Sequence, residues 1–180
     1  MIYYLIAIIV IALDQFTKRL IVNNMELGDT IPVLGDFFQI TSHRNTGAAF
    51  GILEGQRWFF IVTTTVVVVA IIIYMTRLLK EKKKFLPFAL ALLLGGAIGN
   101  FIDRLLFGEV VDFLKFRFQF NWFGQWVDYT FAIFNVADAA IVVGVFLVIA
   151  ESFISWRREQ KALKGGGPLG EQAEEEGGMK

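Results

Sequence analysis

Four apolar runs, three of them broken by polar or ionisable side chains, restrict this chain more than any other feature. A bilayer core about 30 Å thick takes about 20 mostly apolar residues in a helix. The runs cover residues 2–22, 58–79, 85–106 and 131–153. Each is too long and too apolar for the core helix of a small soluble protein, and the mean hydropathy is +0.58. They predict an α-helical integral membrane protein with four transmembrane helices. The first run carries Asp14, Lys18 and Arg19, the third Asn100, Asp103 and Arg104, and the fourth Asn135 and Asp138. The second has no charge before Arg77 and reads as a lipid-facing anchor.

Loop charge sets the orientation, because cytoplasmic loops are rich in Lys and Arg. Arg77, Lys80, Lys82, Lys83 and Lys84 lie between runs two and three, and Arg157, Arg158, Lys161 and Lys164 follow run four. Both termini are therefore expected in the cytoplasm and the two long loops outside. The first run opens on Met-Ile-Tyr-Tyr, lacks a basic leading segment and is followed by no A-x-A-like site, so it reads as retained. Residues 30–41 are rich in β-branched and aromatic side chains. Phe116, Phe118 and Phe120 alternate with Lys115, Arg117, Gln119 and Asn121. These segments predict a small extracytoplasmic β-region on the membrane surface, with a short interfacial helix after His43–Gly51. Residues 1–156 form the membrane domain in this reading. Residues 157–180 form a basic, then Gly/Glu-rich cytoplasmic tail expected to be disordered.

Composition then narrows the chemistry. There is no cysteine, His43 is the one histidine, and the serines are Ser42, Ser152 and Ser155. Thiolate nucleophiles, Cys-ligated zinc and iron–sulfur clusters are excluded, and a His-rich metal site is impossible. No metal or other cofactor is expected. Lys+Arg and Asp+Glu both number 17, so the basic excess of a nucleic-acid binder is missing. An enzyme built from this chain must work with carboxylates, Lys, Thr or a lone His.

An ionisable group in a span costs roughly 2.5 kcal/mol or more, so it normally faces the protein interior. Asp14 and Lys18 are spaced i,i+4 and can pair on one helical face, which on its own merely makes the helix insertable. His43–Gly51 could be only a turn, and Gly95 with Gly99 only a packing motif. Asp103 and Arg104 are adjacent, so each needs a partner elsewhere. Asn135 and Asp138 are expected on one face of the fourth helix, where Asp138 could simply favour the helix dipole. The orientation brings Asp112 and Asp138 to the same depth under the outer surface, and Asp103 could meet Asp138 equally well. Two close carboxylates share a proton and titrate as a unit. Such a pair can act as base on water and acid on a leaving amine, hydrolysing a peptide bond without a covalent intermediate.

The motifs DQFTK at 14–18, NTGAAFG at 45–51, GGAIGNFIDR at 95–104, GEVVDF at 108–113 and FNVADA at 134–139, in that order on four spans, resemble the lipoprotein signal peptidase (signal peptidase II) family of bacterial membrane aspartyl proteases. The resemblance runs to about Trp156. It implies catalytic Asp112 and Asp138, and supporting or substrate-binding Asp14, Lys18, Asn45, Gly47, Asn100, Asp103, Arg104 and Asn135. It also implies a diacylglyceryl-modified prolipoprotein substrate, cut just before the lipidated cysteine, in the bacterial cytoplasmic membrane. The enzyme is expected to be a monomer amid membrane lipids, with no nucleic-acid partner. One departure is the segment between Asp112 and Asp138, which holds 25 residues and is longer and more aromatic than the family pattern suggests. Two rival readings stay open. One is a small transporter, whose carboxylates would be spread through the bilayer. The other is a scaffold, in which Asp112 and Asp138 would pair with Arg104 and Lys18.

Overall fold

The computed structural model describes residues 1–47 and 53–164. Its elements, in chain order, are α1 (Ile2–Asn24), β1 (Thr30–Leu34), β2 (Phe38–Asn45), α2 (Arg57–Lys80), α3 (Phe85–Leu106), β3 (Val110–Trp122), β4 (Gln125–Thr130) and α4 (Val136–Lys164). Among the described residues three helices are long and apolar enough to cross a membrane: α2, α3 and α4 as far as Lys161. α1 is 23 residues long but carries three charges. Its burial is inside-out for a water-soluble helix: Asp14 and Lys18 are buried, while Leu5, Ile8, Ile9, Leu13 and Phe16 are exposed.

α3 is the hub, packing against α1, α2 and α4. Lipid tails are as apolar as leucine, so helices in a bilayer associate through close packing rather than solvent exclusion. Glycine makes that approach possible here. A Cβ on Gly95 would lie 2.7 Å from Val10 Cβ, and one on Gly96 would lie 2.4 Å from the Ala137 carbonyl oxygen. Gly99 faces both α1 and α4: its Cβ would be 2.6 Å from Asp14 Oδ2 and 3.2 Å from Ala137 Cβ. The expected packing role of Gly95 and Gly99 therefore holds, and Gly144 on α4 repeats it against Ala89 and Leu93. Ala7, Met75, Leu78, Leu90 and Leu94 form one apolar core, and Ile21, Val111 and Phe113 form a second under the sheet.

The four strands make an antiparallel sheet in the order β1-β2-β3-β4. A bulge on β2 between Ile40 and His43 leaves His43 opposite Asp112 and Asn45 opposite Val110. The sheet confirms the strand character read from residues 30–41 and 116–120, and extends it. β3 begins at Val110 and so carries Asp112.

Two expectations need correction. The fourth helix does not start at Phe131. Phe134 exchanges backbone hydrogen bonds with Leu114 (Leu114 N–H to Phe134 O, 2.8 Å; Phe134 N–H to Leu114 O, 3.1 Å), so residues 131–135 follow the sheet and the helix begins at Val136. Asn135 is thus outside the helix rather than on its face. At the far end α4 continues to Lys164, so residues 157–164 are helical where a disordered tail is expected. The interfacial helix expected after Gly51 has no counterpart among the described residues before α2, and residue 52 and the Gly/Glu-rich tail at 165–180 lie outside the described residues. Residues 53–55 form a turn.

Candidate active site

The site is assembled where the ends of α1 and α3, the start of α4 and the first residues of β3 converge. At its base Lys18 Nζ lies 2.8 Å from Asp14 Oδ2, 3.0 Å from Asp103 Oδ2 and 2.9 Å from Asn100 Oδ1. An ammonium has three protons to donate, and these three acceptors use them all. Asp14 Oδ1 accepts the Ala137 N–H at 2.9 Å, one of the donors left open at the start of α4. Asp103 accepts from Gln15 Nε2 at 2.8 Å and from the Val111 N–H at 3.3 Å, tying α1, α3 and β3 together. Asp103 is therefore committed to Lys18 and Gln15, which separates it from Asp112.

Above this base sits a relay of amides. Lys18 can only donate, so Asn100 must turn its oxygen to Lys18 and its nitrogen to Asp138 Oδ1, 2.7 Å away. Asn135 Nδ2 donates to Asp112 Oδ1 at 2.7 Å and to Asn100 Oδ1 at 3.1 Å. The same residue engages Asp138 reciprocally: Asn135 Oδ1 accepts the Asp138 N–H at 2.9 Å, and Asp138 Oδ2 accepts the Asn135 N–H at 3.2 Å. That is a capping box in which Asn135 is the cap and Asp138 the third helical residue. The helix-start reading of Asp138 is thus correct, and it is also how this carboxylate is aimed. Asn135 touches both aspartates.

On its other side Asp112 Oδ2 accepts from Asn45 Nδ2 at 2.9 Å, while Asn45 Oδ1 accepts the Gly47 N–H at 2.9 Å. Arg104 Nη2 donates to the Gly47 carbonyl at 2.8 Å, and its guanidinium lies 4.5 Å over the Phe60 ring. Asp112 is 1% exposed and Asp138 is half-buried. Burial, followed by the negative charge of Asp138, pushes the Asp112 carboxyl up to about 6, against the opposing hydrogen bonds from Asn45 and Asn135. Asp112 thus keeps its proton to a higher pH than an ordinary carboxyl.

All ten residues singled out in the sequence fall within this one network. Among the described residues neither Asp112 nor Asp138 has an ion-pair partner within 4 Å. The pairing with Arg104 and Lys18 that a scaffold would use is not formed. Sequence reasoning passed over two residues. Gln15 bonds Asp103 and the Gly99 carbonyl, and its signal was a second polar side chain beside Asp14 on the same helix. Arg57 closes the C-terminal end of α3, donating to the Arg104 and Leu105 carbonyls at 2.9 and 2.7 Å. Its place just before the second apolar run carries no signal of that role.

Comparison with known proteins points to one family. The family model described as Signal peptidase (SPase) II matches residues 6–154. The chain is 51% identical over 158 residues to the lipoprotein signal peptidase of Brevibacillus brevis, covering 88% of this chain and 99% of that one. It is 48% identical over 161 residues to that of Bacillus subtilis, covering 89% and 99%. A solved bacterial membrane enzyme, determined by the in meso method at 2.3 Å resolution, superposes with a TM-score of 0.72 and 42% identity. That match covers 84% of this chain and 87% of the other.

Proposed function

The chain belongs to the signal peptidase II family of aspartic proteases, and from that premise we propose that Asp112 and Asp138 share one proton and activate one water against the peptide bond before a lipidated cysteine. It is a bacterial membrane protein that processes prolipoproteins. The observation that carries the mechanism is the bond of Asn135 to both carboxylates. It fixes their relative aim while Asp103 is spent on Lys18.

Asp112, the more deeply buried of the two, is placed as the acid, and the half-buried Asp138 as the base. Asp138 removes a proton from water as the water oxygen bonds to the scissile carbonyl carbon. Asp112 gives its proton to the carbonyl oxygen, producing a tetrahedral diol. Asp138 then passes its proton to the amine nitrogen of the cysteine as the C–N bond breaks, and Asp112 recovers a proton from the diol. The pair ends as it began. Asp14, Lys18, Asn100, Asp103 and Asn135 position the carboxylates. Asn45, Gly47 and Arg104 hold the β2 end of the cleft, where substrate backbone would lie.

In this reading α1 is a fourth span, because it buries its charges and exposes its apolar face. Residues 1–156 form the membrane domain, both termini are cytoplasmic and the aspartates lie near the outer face. The substrate's signal helix slides in sideways from lipid, its acyl chains staying in the bilayer at about 0.8 kcal/mol per CH₂. One protomer suffices. The test is incubation of purified protein with a diacylglyceryl-modified precursor and with its unmodified form. Only the modified form should yield shortened lipoprotein and free signal peptide, and Asp112→Asn and Asp138→Asn should yield none. Full cleavage by Asp112→Asn would move the acid role to Asp103.

A further inference from the structure

Beyond Phe116 the sheet narrows to a two-stranded ribbon. β2 ends its pairing at Phe38 opposite Phe116; the Arg117 N–H still reaches the Phe37 carbonyl at 2.9 Å and Phe37 packs edge-on against Phe116 and Phe118, but from Phe118 to Trp122 β3 pairs with β4 alone. An isolated two-stranded hairpin is marginal in water, so this one needs a covering surface. Alternation along β3 puts Phe116, Phe118, Phe120 and Trp122 on one face, and the register adds Val127 and Tyr129 beside them. Asp112 has the same parity, so the stripe continues the face that bears the proposed catalytic acid. The opposite face carries a polar cluster: Arg117 Nε donates to Asp128 Oδ1 at 2.7 Å and Gln119 Nε2 to Asp128 Oδ2 at 3.1 Å.

The tip is the most exposed aromatic surface of the hairpin, with Trp122 at 61% and Phe123 at 92%; Trp126, paired with Asn121, lies on the opposite face. Phe123 and Gly124 both have positive φ, +47° and +82°, between the paired Trp122 and Gln125. This is the pattern of a type I′ turn, whose first central position favours Asn, Asp or Gly. A phenylalanine there strains the backbone and, apart from an edge-on contact with the neighbouring Trp122 ring, is open to its surroundings, so its reason lies outside the fold.

We propose that this hairpin is a membrane-interface anchor, its aromatic face and Phe123 tip seated among the headgroup–acyl boundary of the outer leaflet, so that β3 fixes the height of Asp112 against the bilayer. The occupant follows from where the ribbon is tied. β3 leaves the end of the membrane helix α3 through Phe107–Glu109, and β4 returns to α4 through Phe131–Asn135. Leu105, Leu106, Phe107 and Phe131, at the two roots of the hairpin, are exposed and apolar as well. Aromatic side chains belong at that level of a membrane. The inference rests on the bilayer placement proposed above but not on the roles of the aspartates.

Single-tryptophan proteins test it, one keeping only Trp122 and one only Trp58, the other tryptophans replaced by Phe. Both are reconstituted in vesicles of phosphatidylglycerol and acyl-brominated phosphatidylcholine. Trp122 should lose at least half its fluorescence to the brominated lipid and be shielded from acrylamide without substrate. In parallel, Phe123→Asn should improve the turn yet lower precursor cleavage several-fold in vesicles and not in detergent micelles. Acrylamide access to Trp122 with no quenching by brominated lipid overturns the proposal. So does shielding that appears only with added precursor, or only at high protein density, which would make the occupant a peptide or a second copy. If Trp58 also escapes the brominated lipid, it is the bilayer placement that has failed; if Trp122 alone escapes, it is the hairpin.

Discussion

The ammonium of Lys18 stands 2.9 Å from the side-chain oxygen of Asn100, and this contact decides which way the Asn100 amide faces. With its oxygen held by Lys18, Asn100 presents only its N–H₂ to Asp138. Lys18→Ala releases that constraint and strands Asp14 and Asp103 as buried, unpaired carboxylates. Removing one partner of a buried ion pair costs about 3–5 kcal/mol. We expect a large fall in the unfolding midpoint in detergent, and about 100-fold slower cleavage from the misplaced carboxylate. Adding Asp103→Asn should restore part of the stability and none of the activity. Equal recovery of both would show that Lys18 acts through folding alone.

Asp112 opposes stability at neutral pH. Its folded proton affinity corresponds to about 6 against an ordinary 3.8. The folded state therefore binds the proton more tightly, and stability falls as pH rises from about 4 to about 6, then stays level. Asp112→Asn is neutral throughout. It should be inactive yet more stable than the parent at pH 7.5 by about 1–2 kcal/mol, allowing for the acceptor lost to Asn45. Melting curves at pH 7.5 and pH 4.5 check this: the gain should shrink at the lower pH. A variant less stable at pH 7.5 refutes the burial argument.

Cleavage needs one proton on the pair, so kcat/KM should decline on the alkaline side as Asp112 ionises. Asn45 donates to Asp112 Oδ2 and so favours its charged form. Asn45→Ala removes that support, raises the affinity of Asp112 for its proton, and should shift the alkaline limb to higher pH with a lower plateau. A limb that stays put or moves down would detach it from Asp112.

Glycines at the α3–α4 contact should be far less tolerant than those in the hairpin turn. Gly96→Ala drives a methyl against the Ala137 carbonyl, 2.4 Å away, next to Asp138. Overpacking of this kind costs about 1–3 kcal/mol, and the displaced helix start should cut kcat at least as sharply as stability. Gly124→Ala meets open space at φ +82°. It should cost only about 1 kcal/mol of backbone strain and leave micellar activity intact. Thermal melts with parallel cleavage assays compare the two.

Much of this architecture was readable in advance because bilayer physics leaves a plain mark. α3 begins and ends at the residues expected, since its apolar run is bounded by a Lys cluster and by Gly108. The start of α4 was not readable. Phe131–Phe134 are as apolar as a helix, and only the distant pairing of Phe134 with Leu114 pulls them into the sheet. That Asp112 sits on a strand was not readable either: Val110–Phe113 lacks alternation because both faces of β3 are buried there. Whether Asp103 or Asp112 accompanies Asp138 turns on Lys18, eighty-odd residues from Asp103 and indifferent in sequence to either. Motif resemblance ranked them, and the geometry supplies a physical reason.

The capping box at Asn135 and Asp138 has a consequence for inhibitors. A compound lodged between the two aspartates would contact side chains that also begin a helix, clamp a strand or neutralise a buried cation. A bacterium seeking escape by altering Asn135, Asn100 or Asp138 would unravel its own scaffold along with the drug's foothold. Resistance should therefore arise farther out, on the ribbon or at the helix rims, where mutation is structurally cheap.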